Sequence, residues 1–221
     1  MIFAILPVKS PQNAKQRLKE FLAIEQRETL ARMLYTQTLA ALCRAEGIDH
    51  VAVITCDAEV AGHARRSGAL VFEENEQVSH SVSADAACLR AMELGASTVL
   101  LVPIDVPRVT PADFTQLAAS ARPFASARPG LIVVPSCDGT GTNALARTPP
   151  DCIESCFGPG SLRAHLDQAR SKGLPADVLR VPGLMFDIDT PQDVAELLAR
   201  TDARTDECPV SSFLRAACAS K

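Results

Sequence analysis

The sequence has 221 residues, of which 47% are hydrophobic and 22% are charged, and its formal net charge is −4. This length accommodates one α/β domain with a sizeable core and is too short for two domains of ordinary size. The acidic balance, the single Tyr and the lack of Trp argue against the basic, aromatic-rich surface of a nucleic-acid-binding protein. We therefore expect small-molecule partners and no nucleic acid.

The cysteines and the first residues of the chain predict the compartment in which the protein is found. None of the eight cysteines forms a CxxC pair of the kind that builds zinc sites, so we expect reduced thiols in a cytoplasmic protein. The apolar run Met1 to Val8 is too short to cross a bilayer and lacks the basic start of a signal peptide, which predicts a strand and no membrane partner. We expect one domain over residues 1–201 and a flexible C-terminal tail over residues 202–221.

Strand-like and helical segments alternate along the chain. Short runs of β-branched and large apolar residues predict buried strands over residues 2–8, 50–55, 69–74, 97–103 and 130–136. Start and stop signals predict helices over residues 25–46, 83–94 with a Ser N-cap, 162–172, and from Thr110 and Thr190 onward. The alternation predicts a single-domain α/β fold whose mostly parallel sheet is flanked by helices, with one antiparallel strand late in the chain.

The loop over residues 7–18 follows the first predicted strand, and ligands of such sheets bind outside the carboxyl ends of the strands. It contains neither the GxGxxG pattern of dinucleotide-binding folds nor the GxxxxGK[ST] pattern of phosphate-binding loops. It carries instead three cations, Lys9, Lys15 and Arg17, a set suited to clamping a polyphosphate. A solvated basic turn is the alternative that the sequence leaves open.

Asp105 follows the fourth predicted strand and lies between Pro103 and Pro107. The prolines stiffen this exit and remove backbone donors, so the carboxylate needs another partner. Mg²⁺ is a natural one, because it takes one or two carboxylates and fills its shell with water and substrate phosphate oxygens. The alternative is a local contact with Thr110 or Arg108.

A second acidic segment, FDIDTPQD, covers residues 186–193. The DxDxT signature of aspartyl-phosphate phosphatases is one residue longer and follows a first strand, so that interpretation is set aside. We expect one carboxylate of the pair Asp187 and Asp189 to be a second metal ligand, while Thr190 and Asp193 cap the next helix. Both carboxylates point the same way in an extended segment, so either one can be the ligand.

Two glycine-containing segments, DGTGTN at residues 138–143 and FGPGS at residues 157–161, have the composition of anion-binding loops. Glycine permits the backbone angles that align successive N–H groups, and the second segment leads those groups to a helix N-terminus. Both predict a phosphate site. The alternative is a pair of tight turns, with Ser161 as an ordinary helix cap.

The blocks PVK…AKQRL, PIDVPRVTPADF, DGTGTNALA, FGPGS and PGLMFDIDTPQDV follow one another over nearly the whole chain, from Met1 to about Arg200. In this combination they resemble the CofC/FbiD family, the guanylyltransferases of deazaflavin coenzyme F-420 biosynthesis. The resemblance implies a nucleotide-diphospho-sugar-transferase-like fold and transfer of GMP from GTP to a phosphorylated three-carbon acid, with release of pyrophosphate. Family members differ in this acceptor, which is 2-phospho-L-lactate, phosphoenolpyruvate or 3-phospho-D-glycerate.

The resemblance also implies roles for the candidate residues. The Mg²⁺ ligands would be Asp105 together with Asp187 or Asp189. The triphosphate of GTP would be faced by Lys9, Lys15 and Arg17. The phosphate and carboxylate of the acceptor would be held by Thr142, Gly158 and Ser161.

The sequence departs from the family at residues 80–85, which read HSVSAD where many members carry a GLNAAL-like stretch near the nucleotide. The departure allows altered nucleotide handling, a different set of side chains for the same contact, or a non-catalytic nucleotide-binding relative. Two rival enzymes share the fold. Molybdopterin nucleotidyltransferases open with a GG…R…G…K loop that is absent here, and a glycosyltransferase is suggested only by the strand-end Asp.

Overall fold

The computed structural model describes residues 1–76, 78–200 and 208–219 of the chain. The strands are β1 Ile2–Pro7, β2 His50–Thr55, β3 Leu70–Glu73, β4 Thr98–Leu101, β5 Gly130–Pro135, β6 Thr142–Thr148 and β7 Ala176–Val178. The α-helices are α1 Ile24–Leu42, α2 Ala58–Arg66, α3 His80–Glu93, α4 Pro111–Ala127, α5 Ser161–Ser171, α6 Pro182–Met185, α7 Pro191–Arg200 and α8 Pro209–Ala219. Two short 3₁₀ helices, Pro11–Asn13 and Gln16–Leu18, lie between β1 and α1.

The strands form one sheet in the order β3-β2-β1-β4-β6-β5-β7. All pairings are parallel except those of β6, which runs antiparallel to both β4 and β5. The predicted α/β class and the late antiparallel strand are therefore confirmed. The strand order reverses direction between β1 and β4, and open α/β sheets bind their ligands at such a switch point.

Helices cover both faces of the sheet because the side chains of a strand alternate between its faces. In β1, Ala4 and Leu6 pack into the cluster beneath α1, α2 and α4, whereas Phe3 and Ile5 pack against α3. Parallel strands buried on both faces consist almost wholly of apolar residues, which explains the continuous run that opens the sequence.

The helix starts follow the capping signals, with one correction. At the start of α4 the Asp113 carboxylate accepts hydrogen bonds from both the backbone N–H and the hydroxyl of Thr110, as the sequence predicts. Helix α3, in contrast, begins at His80 and not at Ser83, because Ser79 accepts a hydrogen bond from the Val82 N–H and caps the helix. The HSVSAD segment therefore forms the first turns of a helix.

The C-terminal segment differs from the flexible tail that we expected. Pro209–Ala219 forms helix α8, in which Val210, Leu214 and Ala217 are buried in a cluster with residues of α1 and α7. The apolar spacing of four and three residues gives this helix one buried face, which holds it against the domain. Residues 202–207 and 220–221 lie outside the described residues. No helix in the described ranges is long and apolar enough to cross a membrane.

Candidate active site

The loops after β1 and β4 meet at the switch point of the sheet. These strands are parallel neighbours, and the Val102 N–H continues their pairing by donating to the Ile5 carbonyl at 3.1 Å. The segment that carries Lys9, Lys15 and Arg17 therefore emerges beside the segment that carries Asp105. The two regions singled out from sequence are neighbours in space.

Lys15 lies at the centre of this group of charges. Its side chain is only 3% exposed and its ammonium group forms an ion pair with Asp105. The same group donates to the Ile188 carbonyl at 2.6 Å and lies 3.2 Å from the Asp189 carboxylate. Burial disfavours the charge of Lys15, but the two carboxylates outweigh burial and raise its pKa above the ordinary value.

The backbone of Lys15 takes an unusual conformation to reach these partners. Its φ is +53°, the left-handed region that residues with a Cβ rarely adopt, and Lys15 alone among the described non-glycine residues has a positive φ. Such conformations persist where surrounding contacts hold them, and they concentrate at functional sites. The carboxylates of Asp105 and Asp189 supply contacts of this kind.

The other two predicted cations lie nearer the solvent. The guanidinium of Arg17 is 3.7 Å from the Asp189 carboxylate, with 68% of its side chain exposed. Lys9 is exposed on the loop after β1. Burial lowers the pKa of His80, the charge of Asp105 opposes this decrease, and the charge of Lys9 adds to it.

The FDIDT segment is fixed beside Asp105 by backbone and side-chain hydrogen bonds. The Ile188 N–H donates to the Asp105 carbonyl at 3.0 Å. The amide of Asn143 donates to the carbonyls of Leu184 and Met185 and, at 3.1 Å, to the Asp187 carboxylate. Asn143 thereby joins the start of β6 to this segment, a role that the sequence analysis missed.

The carboxylates of Asp105, Asp187 and Asp189 are oxygen ligands of the kind that a hard cation prefers, but they do not form a complete binding site. Burial raises the pKa of Asp187, the amide of Asn143 opposes the increase, and the charges of Asp189 and Asp105 add to it. A divalent cation near these oxygen ligands would relieve that repulsion. Within the described ranges, however, no three His, Cys, Asp or Glu side chains form a ready metal-binding group. These carboxylates would therefore suit a divalent cation that takes only one or two protein ligands and fills the rest of its shell with other oxygen atoms.

Thr142, which precedes Asn143 in the chain, meets Ser161 where β6 begins and α5 begins. The Thr142 N–H donates to the Ser161 hydroxyl oxygen at 2.8 Å, and both residues are buried. The Thr142 hydroxyl lies 3.0 Å from Nδ1 of His165, while Nε2 of His165 accepts from the Cys156 N–H at 2.9 Å. Because Nε2 accepts, Nδ1 carries the proton, and burial lowers the pKa of His165 to about 4.

The two glycine-containing segments have different structures. In the first, the Asp138 carboxylate accepts from the N–H and hydroxyl of Thr140, and the Ser136 hydroxyl oxygen accepts from the Gly141 N–H. These internal bonds use the N–H groups that we predicted for phosphate, so the alternative of a tight turn describes residues 138–141. The second segment is exposed at residues 158–160, with φ of +128° at Gly158 and +73° at Gly160.

The α/β sheet and the group of charges at its switch point fit an α/β nucleotidyltransferase. The family model described as "Guanylyl transferase CofC like" matches residues 2–215. The chain therefore belongs to the CofC-like guanylyltransferase family, as the resemblance of the sequence blocks predicted.

Curated relatives carry the same activity in their names. The chain is 40% identical to a phosphoenolpyruvate guanylyltransferase of Sphaerobacter thermophilus, over 92% of this chain and 97% of the relative. It is 31% identical to a 3-phospho-D-glycerate guanylyltransferase of Colwellia psychrerythraea, over 88% and 90% of the two chains. It is 30% identical to a 2-phospho-L-lactate guanylyltransferase of Methanothermobacter thermautotrophicus, over 88% and 83%.

Solved structures share the fold at lower identity. A protein described as a nucleotide-diphospho-sugar transferase from Desulfovibrio desulfuricans G20 is 16% identical, has a TM-score of 0.77, and matches over 97% of this chain and 94% of its own. A nucleotidyl transferase from Methanothermobacter thermautotrophicus is 17% identical with a TM-score of 0.62, over 98% and 99% of the two chains. The predicted nucleotide-diphospho-sugar-transferase-like fold is thus confirmed.

Proposed function

We propose that this chain transfers GMP from GTP to a phosphorylated three-carbon acid and releases pyrophosphate, as a step in coenzyme F-420 biosynthesis. Membership of the guanylyltransferase family supports the reaction class, and the names of the relatives give three small acids as candidate acceptors. The observation that carries the proposal is the pairing of Lys15 with Asp105 and Asp189 at the switch point of the sheet. This cluster combines cations for a polyphosphate with oxygen ligands for a metal ion.

The reaction joins two anions. A phosphate oxygen of the acceptor attacks the α-phosphorus of GTP, a new P–O bond forms, and the bond to the β-phosphate breaks with its electron pair on pyrophosphate. No general base is needed, because a phosphate monoester is largely a dianion near neutral pH. The work of the protein is therefore to position the reactants and to stabilise negative charge.

The carboxylates and the cations of this site would have different roles. Mg²⁺ would be held by Asp105 with Asp187 or Asp189, and when bound it would stabilise the charge of the phosphates and of the leaving pyrophosphate. Lys15, Arg17 and Lys9 would bind the triphosphate. Lys15 would then exchange part of its contact with Asp105 for phosphate oxygens, which its three N–H donors allow.

The acceptor would bind where β6 and α5 begin. Gly158 lies on the exposed loop that leads into Ser161, and the Ser161 hydroxyl accepts from the Thr142 N–H. These residues border the segment held by Asn143, so an acceptor at Thr142, Gly158 and Ser161 would lie close to the carboxylates. The Ser161 N–H donates to the Gly158 carbonyl and the Leu162 N–H to the Thr140 carbonyl. The hydroxyl groups and the positive end of the α5 dipole, rather than these N–H groups, would therefore attract the phosphate and carboxylate of such an acid.

A panel of acceptors tests the proposal. The protein is incubated with GTP, Mg²⁺ and each of phosphoenolpyruvate, 2-phospho-L-lactate and 3-phospho-D-glycerate, and released pyrophosphate is measured. We expect release that requires both the acid and the metal ion, with one acid turned over fastest. Failure of all three acids to support pyrophosphate release would contradict the proposal. Equal release when no acid is added would contradict it as well.

A further inference from the structure

The HSVSAD segment at the start of α3 contacts the connection between β6 and α5, which runs over residues 149–160. Its Ser81 hydroxyl oxygen accepts a hydrogen bond from the Phe157 N–H at 3.1 Å. The ring of His80 meets the ring of Phe157 edge to face, with 4.9 Å between the ring centroids. One turn of helix thus holds both the backbone and the side chain of Phe157.

A second contact lies one turn further along α3. The Asp85 carboxylate accepts from the Ser155 hydroxyl at 2.7 Å and from the Ser155 N–H at 3.0 Å. It also pairs with Arg147, whose side chain is 1% exposed and which donates to the Ile153 carbonyl at 2.6 Å. Because a buried guanidinium needs an anionic partner, this network fixes the connection at residues 153 and 155.

The held connection leads directly into the proposed acceptor site. Phe157 also packs edge to face on His165, with 5.4 Å between centroids, and His165 bonds to the Thr142 hydroxyl. Beyond Phe157 the chain is exposed through Gly158 and Gly160 until helix α5 starts. A glycine-containing exposed loop loses much conformational entropy when it is ordered, so contacts that order it beforehand favour ligand binding.

We propose that Ser81 and Asp85 of the HSVSAD segment are positioning residues, which hold the loop over residues 153–160 in the form that binds the phosphorylated acid. The inference rests on the proposed function for the identity of the ligand. It gives the departure at residues 80–85 a role in acceptor binding, because these side chains contact the loop that leads to Ser161.

Single hydroxyl deletions test this role without removing a buried charge. Ser81→Ala removes the acceptor for the Phe157 N–H, and Ser155→Ala removes one bond to Asp85. Ser81→Thr keeps a hydroxyl group at residue 81. Ser83→Ala is the matched control, because the Ser83 hydroxyl lies in the same helical turn but donates to Glu74 at 2.7 Å.

Two measurements are made on each variant. The first is KM for the acid and for GTP, and the second is amide hydrogen exchange over residues 153–160 in the ligand-free protein. We expect Ser81→Ala and Ser155→Ala to raise KM for the acid about fivefold to tenfold, with KM for GTP nearly unchanged, since one hydrogen bond is lost. Exchange of the loop should accelerate in both, whereas Ser81→Thr and the Ser83→Ala control should resemble the wild type.

The outcomes separate this inference from the proposed function. Equal changes in both KM values, or loop exchange in Ser81→Ala no faster than in Ser83→Ala, would overturn the positioning role. If none of the three acids supports GTP turnover by the wild-type protein, the proposed function is contradicted instead. Faster loop exchange in Ser81→Ala would still support the positioning of the loop in that case.

Discussion

The ammonium group of Lys15 forms an ion pair with the Asp105 carboxylate, and it does so from a backbone with a φ of +53°. The two residues lie on different loops, which the parallel pairing of β1 with β4 brings to one edge of the sheet. A lysine that is buried between carboxylates in a sparsely populated conformation is held there by its surroundings. We interpret the pair as the centre of the site.

Replacing Lys15 by Met tests its role. The substitution keeps the length of the side chain and removes the charge, so we expect kcat/KM for GTP to fall by about 10² or more because transition-state charge loses a stabilising partner. Steady-state kinetics measure the loss. The matched control is Lys19→Met, at an exposed lysine of the same segment, which should retain wild-type kinetics. Wild-type turnover by Lys15→Met would exclude a catalytic role for this lysine.

Replacing Asp105 by Asn tests the proposed metal site. Asn keeps the shape but removes the negative charge, so Mg²⁺-dependent pyrophosphate release should fall by about 10³ or more, a loss of several kcal/mol in transition-state stabilisation. The fold should persist, because Lys15 keeps its contacts with Asp189 and the Ile188 carbonyl. Circular dichroism and thermal unfolding check this point. Asp151→Asn, at an exposed position that makes no contact with the Lys15 cluster in the bonds described above, serves as the control.

Much of this architecture could be predicted from the sequence, because apolar runs and capping residues act locally. The five predicted strands are present, and Asp105 lies at the exit of β4 as expected. A late antiparallel strand was expected, but it was not assigned to the residues of β6, whose run TNALART includes an arginine. Arg147 can be buried there only because Asp85, which is distant in sequence, supplies the counter-charge.

Some features of the site could not be predicted from sequence patterns either. The left-handed conformation of Lys15 depends on carboxylates from two other segments. The role of Asn143 depends on where the FDIDT segment packs, although its place directly after GTGT at the edge of a strand was a usable signal. The tight turn at residues 138–141 could have been recognised, since Asp followed by Gly commonly caps its own turn.

The ion pair of Arg147 with Asp85 should stabilise the fold more than an exposed pair does. We expect Asp85→Asn to lower the free energy of unfolding by about 2 kcal/mol, because the buried guanidinium loses its anionic partner while Asn still supplies an acceptor. Urea denaturation measures the change. The control is Asp167→Asn, whose pairs with Arg163 and Arg170 are exposed and should contribute less than about 1 kcal/mol. Equal effects of the two substitutions would contradict the claim that the Arg147–Asp85 pair stabilises the fold more than an exposed pair.

His165 predicts an acid-dependent loss of stability. Its pKa is about 4 in the folded protein and ordinarily 6.5, so between these values the unfolded chain binds a proton that the folded protein does not. The contribution of His165 to stability should therefore be fully present above about pH 7 and decrease by up to about 3 kcal/mol as the pH falls from 6.5 to 4. Urea unfolding at several pH values measures the slope. His165→Asn should flatten it, and a slope as steep as that of the wild type in this variant would contradict the assignment to His165.

The most direct test of guanylyl transfer is the identity of the product. After incubation with GTP, Mg²⁺ and the best acceptor, mass spectrometry and phosphorus NMR should detect GMP joined to the acid through a new phosphoanhydride. This product should form in equal amount to pyrophosphate, and Asp105→Asn should form both at a rate lower by about 10³ or more. Formation of GDP with inorganic phosphate, or of free GMP with no phosphoanhydride at any time, would contradict the account.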